Sequence, residues 1–74
     1  MVVTVKLFAS FQEGRFDTSP REYPAGTRLA AVLDELHIPK ETIGITLVNS
    51  RHADLERELT PGDVVSFFPL LGGG

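Results

Sequence analysis

One helical stripe runs through a sequence whose other apolar residues mostly alternate. Leu29, Val32, Leu33 and Leu36 recur at i, i+3, i+4 and i+7, the spacing that lines one side of an α-helix. Thr27 stands where an N-cap is wanted, and Ile38-Pro39 closes the segment, because a residue before proline is pushed away from helical ψ. The pattern predicts one helix of about ten residues. Asp34 and Glu35 fall off the stripe. A lone helix has only a sheet to bury its stripe against, which makes this 74-residue chain a single small α+β domain.

The strands supply that sheet. In Val2–Phe8, Val3, Val5 and Leu7 share one face and Thr4 and Lys6 the other; parity places Val2 and Phe8 with the polar pair. Ala9 to Gly14 reads as a hairpin connection. Arg15 to Ser19, continued past Pro20 by Arg21-Glu22-Tyr23, reads as a second strand at an edge, where a missing N–H is tolerated. Pro24-Ala25-Gly26 is a break. Ile43–Asn49 is the next strand, with Ile43, Ile45 and Leu47 on one face, and Asn49-Ser50-Arg51-His52 reads as a turn. Ala53 to Leu59 is polar, a loop or short weak strand anchored by Leu55 and Leu59. Thr60-Pro61-Gly62-Asp63 places proline and glycine for a type II turn. In the last strand, Val65 and Phe67 share one face, with Val64, Ser66 and Phe68 on the other.

The simplest assembly sets the first and last strands side by side in the middle. Val3, Val5, Leu7, Val65 and Phe67 then meet the helix stripe. That is a β-grasp, or ubiquitin-like, architecture: a mixed sheet of about four or five strands with one helix on one face. The opposite face lacks a helix to cover it, and Phe8, Val64 and Phe68 lie there.

Composition removes several kinds of function. There is no cysteine, so no disulfide, no thiolate nucleophile and no thiolate metal ligand. A net charge of −3 disfavours a nucleic-acid phosphate backbone and suits a basic protein surface. No stretch approaches a membrane span or has the build of a secretion signal, so the expected location is cytoplasmic. His37, at the helix end, is placed to meet terminal carbonyls, and His52 lies in the predicted turn; the pair lacks metal-ligand spacing. Asp34-Glu35 and Asp54, Glu56 and Glu58 read as solvated faces. With no Ser-His-Asp arrangement or phosphate-cradling loop, the chain is not expected to catalyse alone.

The remaining feature is the end of the sequence. Pro69 has no N–H to donate, so sheet pairing is expected to stop there, dividing a domain of residues 1–69 from a flexible tail of residues 70–74. Pro69 to Gly74, fully extended, reaches on the order of 20 Å. Without Cβ atoms, Gly72, Gly73 and Gly74 fit a channel that rejects side chains. A glycine run by itself reads as a frayed end or a linker. This one follows directly on Phe-Phe-Pro-Leu-Leu with no serine or charge between, unlike a flexible linker.

Threading such a tail into a channel is costly. At about 1–2 kcal/mol per residue, ordering Leu70 to Gly74 costs on the order of 5–10 kcal/mol. Binding energy must come from elsewhere, and the docking candidates are Phe8, Val64 and Phe68, extended by Leu70, Leu71 and Gly72. The plainer alternative makes the first three ordinary surface residues or a second small cluster.

Four stretches carry a family likeness: Val3-Thr4-Val5-Lys6-Leu7-Phe8-Ala9, Pro24-Ala25-Gly26-Thr27, Leu59-Thr60-Pro61-Gly62-Asp63-Val64-Val65, and Phe67-Phe68-Pro69 followed after three residues by Gly73-Gly74. Over its whole length the chain resembles the MoaD/ThiS family of sulfur carriers, most of all the small subunits of molybdopterin synthases. Leu70 departs from a second proline common in the family, and Gly72 makes the ending three glycines. The resemblance implies that Gly73-Gly74 is a reactive diglycine. An adenylyltransferase like those that activate ubiquitin would use ATP to adenylate Gly74, and a sulfur donor would then convert it to a thiocarboxylate. A larger MoaE-like subunit would receive the tail for molybdopterin synthesis, the carrier binding no cofactor of its own. Thiamin-type and amino-acid-pathway carriers share the diglycine. A ubiquitin-like modifier forming isopeptide bonds and a non-covalent β-grasp module also remain open.

Overall fold

The alternating segments pair into one sheet. The computed structural model, which describes residues 1–70, has strands β1 (Val2–Leu7), β2 (Thr18–Glu22), β3 (Ile43–Val48), β4 (Arg51–His52) and β5 (Val64–Pro69), and helix α1 (Leu29–Glu35). The strand order is β2-β1-β5-β3-β4, with β1 and β5 parallel and the other pairs antiparallel. This is the β-grasp arrangement. Val3, Val5, Leu7, Val65 and Phe67 pack with Leu29, Val32, Leu33 and Leu36 in one core. Phe11, Tyr23, Ile38, Val48 and Leu59 complete it.

The helix ends differ from the expectation. α1 has seven residues, and its N-cap is Arg28, which makes no side-chain capping bond. The Thr27 hydroxyl instead donates to the Pro24 carbonyl at 2.7 Å. The orphan N–H groups of Leu29 and Ala30 donate to the carbonyls of Arg57 (3.1 Å) and Leu55 (2.9 Å). The polar segment from Ala53 to Leu59 thus caps the helix with its backbone. At the other end His37 takes a positive φ of 59°. Its N–H donates to the Asp34 carbonyl and that of Ile38 to Leu33, which forms a Schellman motif. Arg15, rather than the His37 side chain, reaches the terminal carbonyls, donating to those of Leu36 (3.1 Å) and His37 (3.3 Å).

Connections also depart from the simplest reading. Ala9–Gln12 is a 3-10 turn that buries Phe11 in the core. β2 begins later than expected, at Thr18, and runs through Pro20, which pairs with Thr4 on an edge strand. Arg51 and His52 belong to β4 and not to a turn: Asn49 and Ser50, both with positive φ, alone form the two-residue hairpin. The type II turn at Thr60–Asp63 forms as expected, with Gly62 at φ 84° and the Asp63 N–H donating to the Thr60 carbonyl. Tyr23 ties the end of β2 to α1 by donating to Glu35 at 2.8 Å. Burial, then that bond, pushes the phenol up to about 12.

Asp63 is a buried carboxylate at the start of β5. It accepts from the Thr60 N–H (2.8 Å), the Thr60 hydroxyl (2.9 Å) and the Asn49 amide (3.0 Å), with Arg57 at 3.9 Å. Burial favours the neutral acid, but the Thr60 and Asn49 bonds and Arg57 outweigh it and hold the carboxyl below its ordinary value. A depressed carboxylate stabilises the fold above its unfolded pKa and loses that contribution as pH falls through the folded one. The domain should therefore weaken on acidification below about pH 4. Asp63→Asn should cost about 1.5–3 kcal/mol at neutral pH and flatten that acid limb, as urea unfolding at pH 7 and pH 3 would show.

Candidate functional site

Strand parity builds an apolar patch on the face away from α1. Phe8 follows β1 and Phe68 lies in β5, and the parallel register that sets Leu7 beside Phe67 brings the next residues together. Their rings stack with centroids 4.1 Å apart and planes 11° from parallel. This mutual cover leaves both half-buried. Such a pair keeps its shape while still offering an apolar surface.

β3 adds Ile45, which alternation grouped with Ile43 and Leu47 without showing which way that face turns. Its pairing sets Thr46 opposite Phe67 and Val48 opposite Val65, on the helix side, which turns Ile45 outward opposite Phe68. Ile45 is 43% exposed and extends the aromatic pair sideways. Val64 is not part of this group. It lies four residues back along the strand, about 13 Å from Phe68. Between them runs a more polar row in which Lys6 pairs with Thr18 and Ser66, and Leu47 with Ser66 and His52. The patch is therefore Phe8, Phe68 and Ile45 at one end of the sheet, with Val64 near Thr4 at the other.

The compact end is the one from which the tail departs. Sheet pairing does not stop at Pro69, as the missing N–H suggested: Pro69 pairs with Ile43, and the Leu70 N–H donates to the Thr42 carbonyl at 2.9 Å. The reason lies in which side of β5 each group faces. The Phe67 carbonyl accepts from Phe8 on the β1 side. Alternation turns the Pro69 nitrogen to that same side, beyond Leu7 where β1 has ended, so no ladder bond is lost. The Leu70 side chain is 59% exposed. At the position where a second proline is common in the resembled family, the Leu70 N–H makes this backbone hydrogen bond. Leu71, Gly72, Gly73 and Gly74 lie outside the described residues.

A shallow groove of about 480 Å³ opens beside Leu70, with Phe11, Ile38 and Pro39 among its apolar lining and Glu13, Glu41 and Arg15 among its charges. Among the described residues, no group of acidic and histidine side chains is arranged to hold a metal ion. No described helix is long and apolar enough to cross a membrane. The chemistry on view is surface recognition around the root of the last strand.

The model of the ThiS family matches residues 5–74. No curated protein sequence matches the chain. Among solved structures, the chain is similar to the protein assigned as molybdopterin converting factor subunit 1 in Pyrococcus furiosus, with 29% identity, 93% of this chain and 97% of that one covered, and a TM-score of 0.76. It is similar also to a chain from the complex of subunits 1 and 2 of the molybdopterin-converting factor of Helicobacter pylori, with 27% identity, all of both chains covered and a TM-score of 0.68. Small archaeal modifier protein 1 of Haloferax volcanii shares the fold, at 22% identity with 92% and 95% coverage and a TM-score of 0.74.

Proposed function

The chain belongs to the ThiS family, and from that premise we propose that it is a sulfur carrier whose Gly74 carboxylate is adenylated and then converted to a thiocarboxylate. The observation that carries this reading is the position of Leu70. It is bonded to Thr42 at the end of the sheet, is exposed, and follows Phe68 of the stacked Phe8–Phe68 pair by two residues. The reactive end thus starts from the surface, next to an apolar docking patch.

A carboxylate is a poor electrophile, so activation comes first. One Gly74 oxygen attacks the α-phosphorus of ATP in an activating enzyme and expels pyrophosphate. Sulfur from a donor then attacks the acyl carbon and AMP leaves, taking that oxygen. This chain's own contribution is to dock and to aim: Phe8, Phe68 and Ile45 supply apolar area, and the Thr42 bond holds the root of the tail. The likeness to a chain from the complex of subunits 1 and 2 of a molybdopterin-converting factor supports a MoaE-like acceptor and a role in molybdopterin synthesis.

Intact-mass measurement on chain produced together with an activating enzyme, ATP and a sulfur source tests the reading. Exchange of one oxygen for one sulfur at Gly74 is the expected result. A ladder of higher-mass conjugates would favour a protein modifier instead, and an unchanged mass with every donor would overturn both.

A further inference from the structure

The residue that makes room for the root of the tail lies outside it. Gly44 sits at the register shift of β3, between Ile43 and Ile45. A Cβ placed there would stand 2.7 Å from the Pro69 carbonyl oxygen, 3.0 Å from its carbon and 3.1 Å from the Leu70 Cα. All three are backbone atoms, which cannot swing aside as the tip of a side chain can. Backbone conformation is not what requires glycine here, since the positive-φ glycines are Gly14, Gly26 and Gly62. Space alone excludes a side chain. Against this bare position Pro69 and Leu70 run alongside β3, and the Leu70 N–H reaches the Thr42 carbonyl.

We propose that Gly44 is a positioning residue for the reaction of the tail, fixing the point from which residues 71–74 start. The inference rests on the sulfur-carrier reading. Four residues span at most about 13–14 Å, so the reach of the working end is measured from this origin. A Cβ at Gly44 must displace Pro69 and Leu70 by on the order of 0.5–1 Å to restore ordinary contact distances. Reacting groups tolerate little of this, and about 1 Å of misplacement can cost on the order of 100-fold in rate. The three atoms nearest the added Cβ all belong to the backbone of Pro69 and Leu70, and none to the Phe8–Phe68 stack. Docking and chemistry should therefore respond separately.

The test is Gly44→Ala in the full chain, with two readouts. Amide hydrogen exchange should show protection of the Leu70 N–H falling at least about tenfold relative to Val5 and Phe67. Steady-state adenylation by the activating enzyme should show KM for the carrier within about twofold of the unaltered chain and kcat lower by about tenfold or more. An unchanged kcat overturns the proposal. So does a parallel loss of protection at Leu70, Val5 and Phe67, which would make Gly44 a residue of folding only. If the unaltered chain is never adenylated, the sulfur-carrier reading fails and this inference goes with it; normal loading of the unaltered chain with an unchanged kcat in the variant defeats the positioning role alone.

Discussion

Deletion of Gly74 is expected to reduce sulfur loading by about 100-fold or more while leaving unfolding free energy within about 0.5 kcal/mol of the unaltered chain. The new last residue, Gly73, would carry the same kind of carboxylate, so intrinsic reactivity does not change. Position does. Removing one residue withdraws the reacting carbon by about 3.3–3.6 Å, as much as the whole separation between reacting atoms in a near-attack geometry. The fold has little reason to respond. Among the described residues the buried apolar side chains run from Val3 to Phe67, and glycine has no side chain to add to them. Intact mass after loading and thermal unfolding of the same sample give both readouts. Loading at the normal rate would show that the terminal glycine is not the working group. A large loss of stability would show that the tail belongs to the packed domain.

The strand and helix periods were enough to read the centre of the core and its two layers, but not the burial of Phe11, Tyr23, Ile38 and Val48. Leu29, Val32, Leu33 and Leu36 could only be buried together on a helix, and Val3, Val5 and Leu7 only on a strand. Contacts between residues far apart in the chain were not legible. The capping of α1 by the carbonyls of Leu55 and Arg57 uses backbone atoms, which carry no side-chain signature. That is why Thr27 looked like the cap. The burial of Asp63 depends on Asn49 and Thr60 meeting around it, and an aspartate after Pro-Gly reads as an ordinary turn residue.

The candidate site divides in the same way. Parity alone placed Phe8 and Phe68 on the open face, and the parallel register made them neighbours. Parity also placed Val64 there but could not measure its separation from Phe68. Alternation in Ile43–Val48 fits either face inward until pairing with β5 is known, so Ile45 could be grouped with Leu47 but not placed on the open face. The continuation of pairing past Pro69 depends on where β1 ends, a fact about a different strand. Gly44 carried no signal at all, because its need for space comes from residues twenty-five and twenty-six positions later.

The adjacent phenylalanines should separate stability from recognition. Phe67 is fully buried under α1, whereas Phe68 is half-buried on the open face against Phe8. Phe67→Ala should cost about 3–5 kcal/mol, a cavity penalty as large as the whole net stability that a core of this size rarely exceeds. That variant should be largely unfolded at 25 °C. Phe68→Ala forfeits the stack and part of a buried ring, and the stack itself is worth about 0.5–1.5 kcal/mol, so the domain should remain folded. Its cost should fall on association. An aromatic anchor at a docking patch is worth about 2 kcal/mol or more, close to a thirty-fold loss of affinity for the activating enzyme. Urea unfolding and calorimetric titration on the same preparations measure the two effects. The contrast is the decisive part, since the substitutions are one residue apart and chemically identical. If Phe68→Ala unfolds as Phe67→Ala does, the open face is a second core whose residues are committed to packing. If it folds and binds normally, docking lies elsewhere, and the groove lined by Phe11, Ile38 and Leu70 becomes the surface to test.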